Sequence, residues 1–211
     1  MTHIKPPSSS AGKRGEPVRN RIIDAAERLL REGKAEFSMR DLAAEAGVSF
    51  ATPFNHFGSK AAIMHALSAR RIDAMAERFA AASPLADAAD RVLLAVRIAV
   101  EVMLEEPDVN RAVMGWLGTA GPSPGEVLAH STALWTQALG AGERLIESRR
   151  EQALRCLPEQ LAFGFRGVLS FWTAGELPDK ALAVKAREMA HTLLLGVSER
   201  QPDDPDHRKR R

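Results

Sequence analysis

Tyrosine is missing from the chain, and cysteine occurs once, as Cys156. A single thiol excludes an intramolecular disulfide, which is compatible with a reducing compartment. No stretch approaches the roughly 18 consecutive apolar residues that a membrane-spanning helix needs. The opening segment MTHIKPPSSSAGKRG lacks the apolar core of a signal peptide. A cytoplasmic chain with no membrane partner is therefore expected. Catalytic spacings are missing as well: there is no HExxH, no CxxC, no phosphate-binding glycine loop and no GxSxG. His3, His56, His65, His130, His191 and His207 are scattered, and Cys156 has Arg155 beside it but no nearby His. The expectation is no enzyme, no metal and no cofactor. Internal repeats and convincing strands are absent too.

What is present is a helical chain with a split charge. Hydrophobic residues make up 45% of 211, enough for a sizeable core and too much for a disordered chain. The formal net charge is only +2. Residues 1–60 hold ten Lys/Arg against seven Asp/Glu, a balance of +3, while residues 83–200 hold twelve against fifteen, a balance of −3. A basic excess at one end is what a phosphate-binding part requires, although a difference of this size also arises by chance.

That basic end contains the stretch SMRDLAAEAGVSFATPFNHFGSK, Ser38 to Lys60. Ser38 followed by Asp41 makes a capping box. Met39, Leu42, Ala43 and Ala46 then share one helical face. Gly47 supplies a break that a Cβ would hinder. Ser49 is a second N-cap candidate, Phe50 to Phe57 make about two turns, and Gly58 ends them before Ser59 opens the next helix. Two short helices joined by a Gly turn form the unit that lays its second helix in a DNA major groove.

Together with the preceding helix NRIIDAAERLLREG, this stretch resembles the DNA-binding domain of the TetR family of bacterial transcriptional regulators, over about Arg19 to Leu67. The resemblance implies an all-α fold of about nine helices. An N-terminal three-helix helix-turn-helix domain would be followed by a larger C-terminal helical domain for ligand binding and dimerisation. The expected division is a disordered arm at 1–16, the DNA-binding domain at 17–67, the regulatory and dimerisation domain at 68–200, and a disordered tail at 201–211. The arm is solvated or touches DNA.

Ser49, Phe50, Ala51 and Thr52 lie at the start of the recognition helix, where base edges are met, and Asn55, one turn in, reaches either an adenine or only phosphate. Ser38, Arg40, His56 and Lys60 are placed for the phosphate backbone; Ser38 also serves simply as a cap. The family usually carries Tyr where Phe54 stands, with its hydroxyl on a phosphate, so this chain keeps the ring and loses a hydrogen bond.

Beyond Ser83-Pro84 the composition turns to Leu, Val and Trp. Leu85 to Glu105 is apolar nearly all round, as a central buried helix is. A long helix is expected from Pro124 to Leu154, bent or split at Gly140 and Gly142. Pro158 is expected to open the next helix and Gly175 to end it, with Pro178 opening the last. Met103, Met114, Trp116, Trp135, Phe163 and Trp172 suit either an apolar ligand pocket or a close-packed core. Gly164, Gly167, Phe171, Ala174, Met189 and Leu193 form a second stripe on the last two helices. That stripe suits a four-helix dimer interface or packing within the chain. The function implied is a sequence-specific transcriptional regulator, a homodimeric repressor on a palindromic double-stranded DNA operator, released by a small apolar effector. The alternative is a helical ligand- or partner-sensing protein that no longer binds DNA.

Overall fold

A computed structural model describes residues 11–118 and 125–199. Most of the expected N-terminal arm, the C-terminal tail and most of the loop at 118–125 therefore lie outside the described residues. Within them are nine α-helices: α1 (Ala11–Arg31), α2 (Met39–Glu45), α3 (Ala51–Phe57), α4 (Lys60–Ala81), α5 (Ala88–Glu105), α6 (Pro107–Trp116), α7 (Glu126–Leu139), α8 (Glu147–Thr173) and α9 (Asp179–Leu194). The fold is all-α, with one isolated antiparallel bridge between Leu145 and Ser198.

Helix α1 begins earlier than the expected start at Pro17, which lies inside it. Its inward stripe is Ile22, Ala25, Ala26, Leu29 and Leu30, all buried. This stripe joins Phe37, Leu42, Ala46, Phe57, Ile63, Met64 and Leu67 in a first hydrophobic core. A second core runs from Met75 through α5, α7, α8 and α9, with Trp135 and Trp172 wholly enclosed. Helix α4 belongs to both: Ile63 and Leu67 serve the first core and Met75 the second. Its 22 residues span about 33 Å, enough to cross from one to the other.

Helix α6 is a second crossing that the sequence did not announce. Its Val109 and Val113 are buried in the first core, while Met114 joins the second. Polar side chains follow the same route. Arg71 of α4 donates to Asn110 Oδ1 at 2.8 Å and to Glu27 Oε1 of α1 at 2.5 Å. Arg70 reaches Asp24 at 2.6 Å and Glu27 at 3.2 Å, and Arg31 pairs with Glu106. The arginines that interrupt the apolar stripe of α4 thus have acidic partners, Arg78 pairing with Glu105.

The helix expected from Pro124 to Leu154 is split at Gly140 and Gly142, as one of its two alternatives had it, while the boundary expected at Pro158 is not found. The break between α7 and α8 falls at Gly140 (φ 58°), Gly142 (φ 75°) and Arg144 (φ 61°), a left-handed run that ends any helix. Helix α8 then continues through Pro158, which is buried in its interior instead of opening it. Pro158 costs α8 one main-chain hydrogen bond, and the neighbouring Leu157, Leu161 and Ala162 pack in the core.

Candidate nucleic-acid interface

The turn between α2 and α3 is fixed by main-chain chemistry. Ser38 accepts the Asp41 N–H at 3.2 Å, and the Asp41 carboxylate accepts the Ser38 N–H at 2.9 Å and its hydroxyl at 2.8 Å. That is the expected capping box, and the Ser38 N–H and hydroxyl hold the Asp41 carboxyl below its usual range. At the other end Gly47 (φ 61°) donates to Ala44 O at 3.1 Å, and Val48 to Ala43 O at 3.0 Å. This pair of bonds is a Schellman turn, which requires the left-handed residue.

Helix α3 starts one residue later than expected, and Ser49 is not its side-chain cap. Phe50 occupies the N-cap position, with no side-chain hydrogen bond. The Ser49 hydroxyl instead meets the Thr52 hydroxyl at 2.7 Å. Whichever donates, one hydroxyl proton of the pair is left for an acceptor outside. Pro53 is the third residue of α3, where its missing N–H is no loss. Gly58 (φ 73°) closes the helix, and Ser59 caps α4 by accepting from Ala62 N–H at 3.2 Å.

The outward surface carries Phe50, 53% exposed, and Phe54, 43% exposed, edge to face with centroids 5.5 Å apart. Ala51 and Asn55 are exposed beside them and Thr52 is half-buried. Arg40 of α2 is exposed and sets its guanidinium 5.6 Å from the Phe50 ring centre. Apolar rings, a hydroxyl, an amide and a cation thus share one small surface. Those are the groups that meet thymine methyls, base edges and phosphate.

Of the backbone candidates, Ser38 and Arg40 are exposed, while His56 and Lys60 sit further in. His56 is half-buried, and its carbonyl accepts from Arg19 at 3.2 Å. The Lys60 ammonium turns inward, donating to Ala35 O at 2.7 Å and lying 4.3 Å from the Phe37 ring centre and 5.2 Å from that of Trp116. Burial pushes the Lys60 ammonium down from its ordinary range. Sequence reading missed Arg19, whose guanidinium lies 4.3 Å over the Phe57 ring and ties the end of α3 to α1. Its only signal was a cation on the edge of an apolar stripe.

Residues 22–67 match the family model for bacterial regulatory proteins of the tetR family. This segment is similar to the DNA-binding part of that family. Solved structures extend the likeness in fold to nearly the whole chain. A TetR transcriptional regulator from Rhodococcus sp. RHA1 is 24% identical over 87% of this chain and 99% of its own, with a TM-score of 0.69. FadR of Thermus thermophilus, a TetR-family transcriptional repressor in complex with lauroyl-CoA, is 22% identical over 89% and 98%, with a TM-score of 0.66. TylP, a TetR regulator of Streptomyces fradiae, is 18% identical over 93% and 92%, with a TM-score of 0.55. No curated protein matches the chain.

In this TetR-like fold the pocket candidates separate. Met103 of α5 and Met114 of α6 line a cavity of about 60 Å³ whose other walls come from α4, α7 and α8. Trp135 is wholly buried next to it, edge to face with the lining residue Phe165 at 5.6 Å. The other three stand elsewhere. Trp116 packs on the first core. Phe163 is 49% exposed. Trp172 is a buried junction, donating to Asp179 at 2.7 Å with Arg111 stacked 4.5 Å over its ring. Periodicity marks a side chain as apolar but not which neighbour it meets.

The second stripe of the TetR-like chain divides as well. A Cβ at Gly164 would stand 2.5 Å from Met189 Sδ of the same chain, so this glycine lets α8 and α9 approach each other. Met189 and Leu193 are partly buried against their own core. Gly167 faces open space, and Phe171 (58% exposed) and Ala174 are exposed. With Phe163 they make an apolar face along α8 and its C-cap, and Val184 on α9 and Leu195 just after it are exposed.

Proposed function

We propose that this chain is a dimeric, sequence-specific DNA-binding regulator, a cytoplasmic repressor released by a small apolar effector. Residues 17–67 would bind DNA and residues 68–200 would sense ligand and dimerise. The observation that carries the reading is the outward surface of α3. Phe50 and Phe54 are large apolar rings left in water beside Thr52, Asn55 and Arg40. A monomer gains nothing from that exposure, whereas a major groove offers methyl groups, acceptors and phosphates to all five. The exposed apolar face of α8 supports a two-fold pairing of chains, which a palindromic operator mirrors.

Release would use the crossing between the two cores. An effector entering the cavity presses on α4 and α6. Both helices are bonded to α1 through Glu27, Arg71, Asn110 and Glu106. Recognition helices moved from a separation of about 34–36 Å no longer meet successive major grooves. The coupling needed is about 1–3 kcal/mol. Thermus FadR is a repressor in complex with lauroyl-CoA, a molecule with a long apolar part, in keeping with this reading.

A second reading, a ligand or partner sensor without DNA, is favoured by Phe54 in place of a phenol and by the inward Lys60 ammonium. A gel shift with the DNA upstream of the chain's own gene separates the two. Tight binding that weakens by orders of magnitude between about 50 and 200 mM salt is expected. Indifference to every duplex offered would leave only the second reading.

A further inference from the structure

We propose that the cavity between α4, α5, α6, α7 and α8 is a site for a small apolar carboxylic acid, whose carboxylate pairs with Arg166. This deepens the effector reading above and rests on it.

The cavity wall is mainly apolar, including Met75, Met103, Met114, Leu134, Phe165 and Leu169. Among the lining residues two are charged, both arginines, and none is acidic. Their situations differ. Arg71 already holds Glu27 Oε1 at 2.5 Å, Asn110 Oδ1 at 2.8 Å and Glu106 Oε2 at 3.4 Å. Arg166, on α8, meets no carboxylate among the described residues. Among the described residues its guanidinium reaches the Met114 carbonyl at 3.4 Å and the Met114 sulfur at 3.6 Å. Both contacts are long, and one is to a weak acceptor. Burial lowers the affinity of this guanidinium for its proton.

A guanidinium stays charged at any pH the protein meets, and Arg166 is half-buried beside an apolar wall, where part of its hydration is lost without a counter-ion to replace it. An incoming carboxylate offsets that loss and satisfies two N–H donors at once. The apolar wall requires the rest of the ligand to be apolar. A volume of about 60 Å³ is small for a ligand site, since such sites usually enclose about 300–1,000 Å³. Three unbranched methionines line it and can move to enlarge it. Short aliphatic and monocyclic aromatic acids are therefore the class that fits. Because Arg71 lines the same cavity, an acid seated there lies next to the bonds that join α4 to α1 and α6.

The test is calorimetric titration of the full-length protein at neutral pH with hexanoate, octanoate and benzoate, each against its uncharged match, hexanol, octanol and benzamide. At least one acid should bind, about ten-fold more tightly than its match. Arg166→Gln should abolish that preference and Arg166→Lys should restore part of it, with circular dichroism confirming that both are folded. If either variant fails to fold, the wild type still decides. The carboxyl of ¹³C-labelled octanoate should titrate below its free value when bound, because it sits on a guanidinium. No binding by any acid, equal binding by the alcohols, or an unshifted or raised carboxyl titration would overturn the proposal. The titration contains no DNA, so its failure leaves the DNA-binding reading standing. Acid binding by a chain indifferent to DNA would support the site while removing the regulator.

Discussion

Phe54 presents its ring to solvent at the surface expected to meet DNA, and the family resemblance places a phosphate-binding hydroxyl there. Phe54→Tyr should therefore tighten DNA binding by about 0.5–1.5 kcal/mol per half-site, read by fluorescence anisotropy. An unchanged affinity would mean that no phosphate comes within reach of α3 at this point. The two cations named from sequence should behave differently from each other. Arg40 is exposed, so Arg40→Ala should lower the salt slope of binding by about one. Lys60 is bound to Ala35 O and two rings, so Lys60→Ala should act first on stability, by about 1 kcal/mol in urea unfolding. Equal loss of salt slope in both variants would place Lys60 on phosphate. Ser38 with Asp41 was legible because a capping box is local and its spacing is fixed. The inward turn of Lys60 was not legible, because Ala35 and Trp116 reach it only through the tertiary fold.

Gly164 shows how far an element can be read alone. Its spacing with Gly167 and Phe171 marks a face of small and apolar residues, and the structure turns Gly164 onto Met189 of its own chain. Gly164→Ala should destabilise the protein by about 1–3 kcal/mol in urea unfolding, and adding Met189→Ala should recover part of the loss. A loss of dimer by sedimentation with unfolding stability unchanged would instead put Gly164 at the dimer interface. The same limit explains α6 and Pro158. Nothing in the sequence of α6 showed that Val109 and Val113 join the N-terminal core. Pro158 reads as a helix start until Gly140, Gly142 and Arg144 are seen to have made the break already. The overall all-α order was legible because its signals, periodicity, caps and glycine stops, are local. The pairing of faces was not.

Taken whole, the molecule is two cores joined by α4, α6 and a set of ion pairs between α1, α4 and α6. Hydrogen bonding by Arg31 holds the Glu106 carboxyl below its ordinary range, and Arg78 does the same for Glu105. Lowered carboxylate values contribute stability that is fully present above the ordinary Glu value, about 4.3, and is lost as pH falls through the depressed ones. Melting temperature should therefore fall on the acid side of that value, and Glu106→Gln should flatten the fall while leaving neutral-pH behaviour less affected. A Glu106→Gln profile parallel to that of the wild type would remove this pair from the account. The central claim is that two copies of α3 read a palindrome. Its most direct test is selection of binding sites from a random duplex pool, followed by titration of the selected duplex. The account predicts an inverted repeat bound by two chains, with half-sites about 34–36 Å apart or a multiple of that distance. Thr52→Ala with Asn55→Ala should lose about 1–3 kcal/mol of discrimination at a base pair. A pool that remains random, or a variant that reads the selected duplex as well as the wild type does, would contradict it.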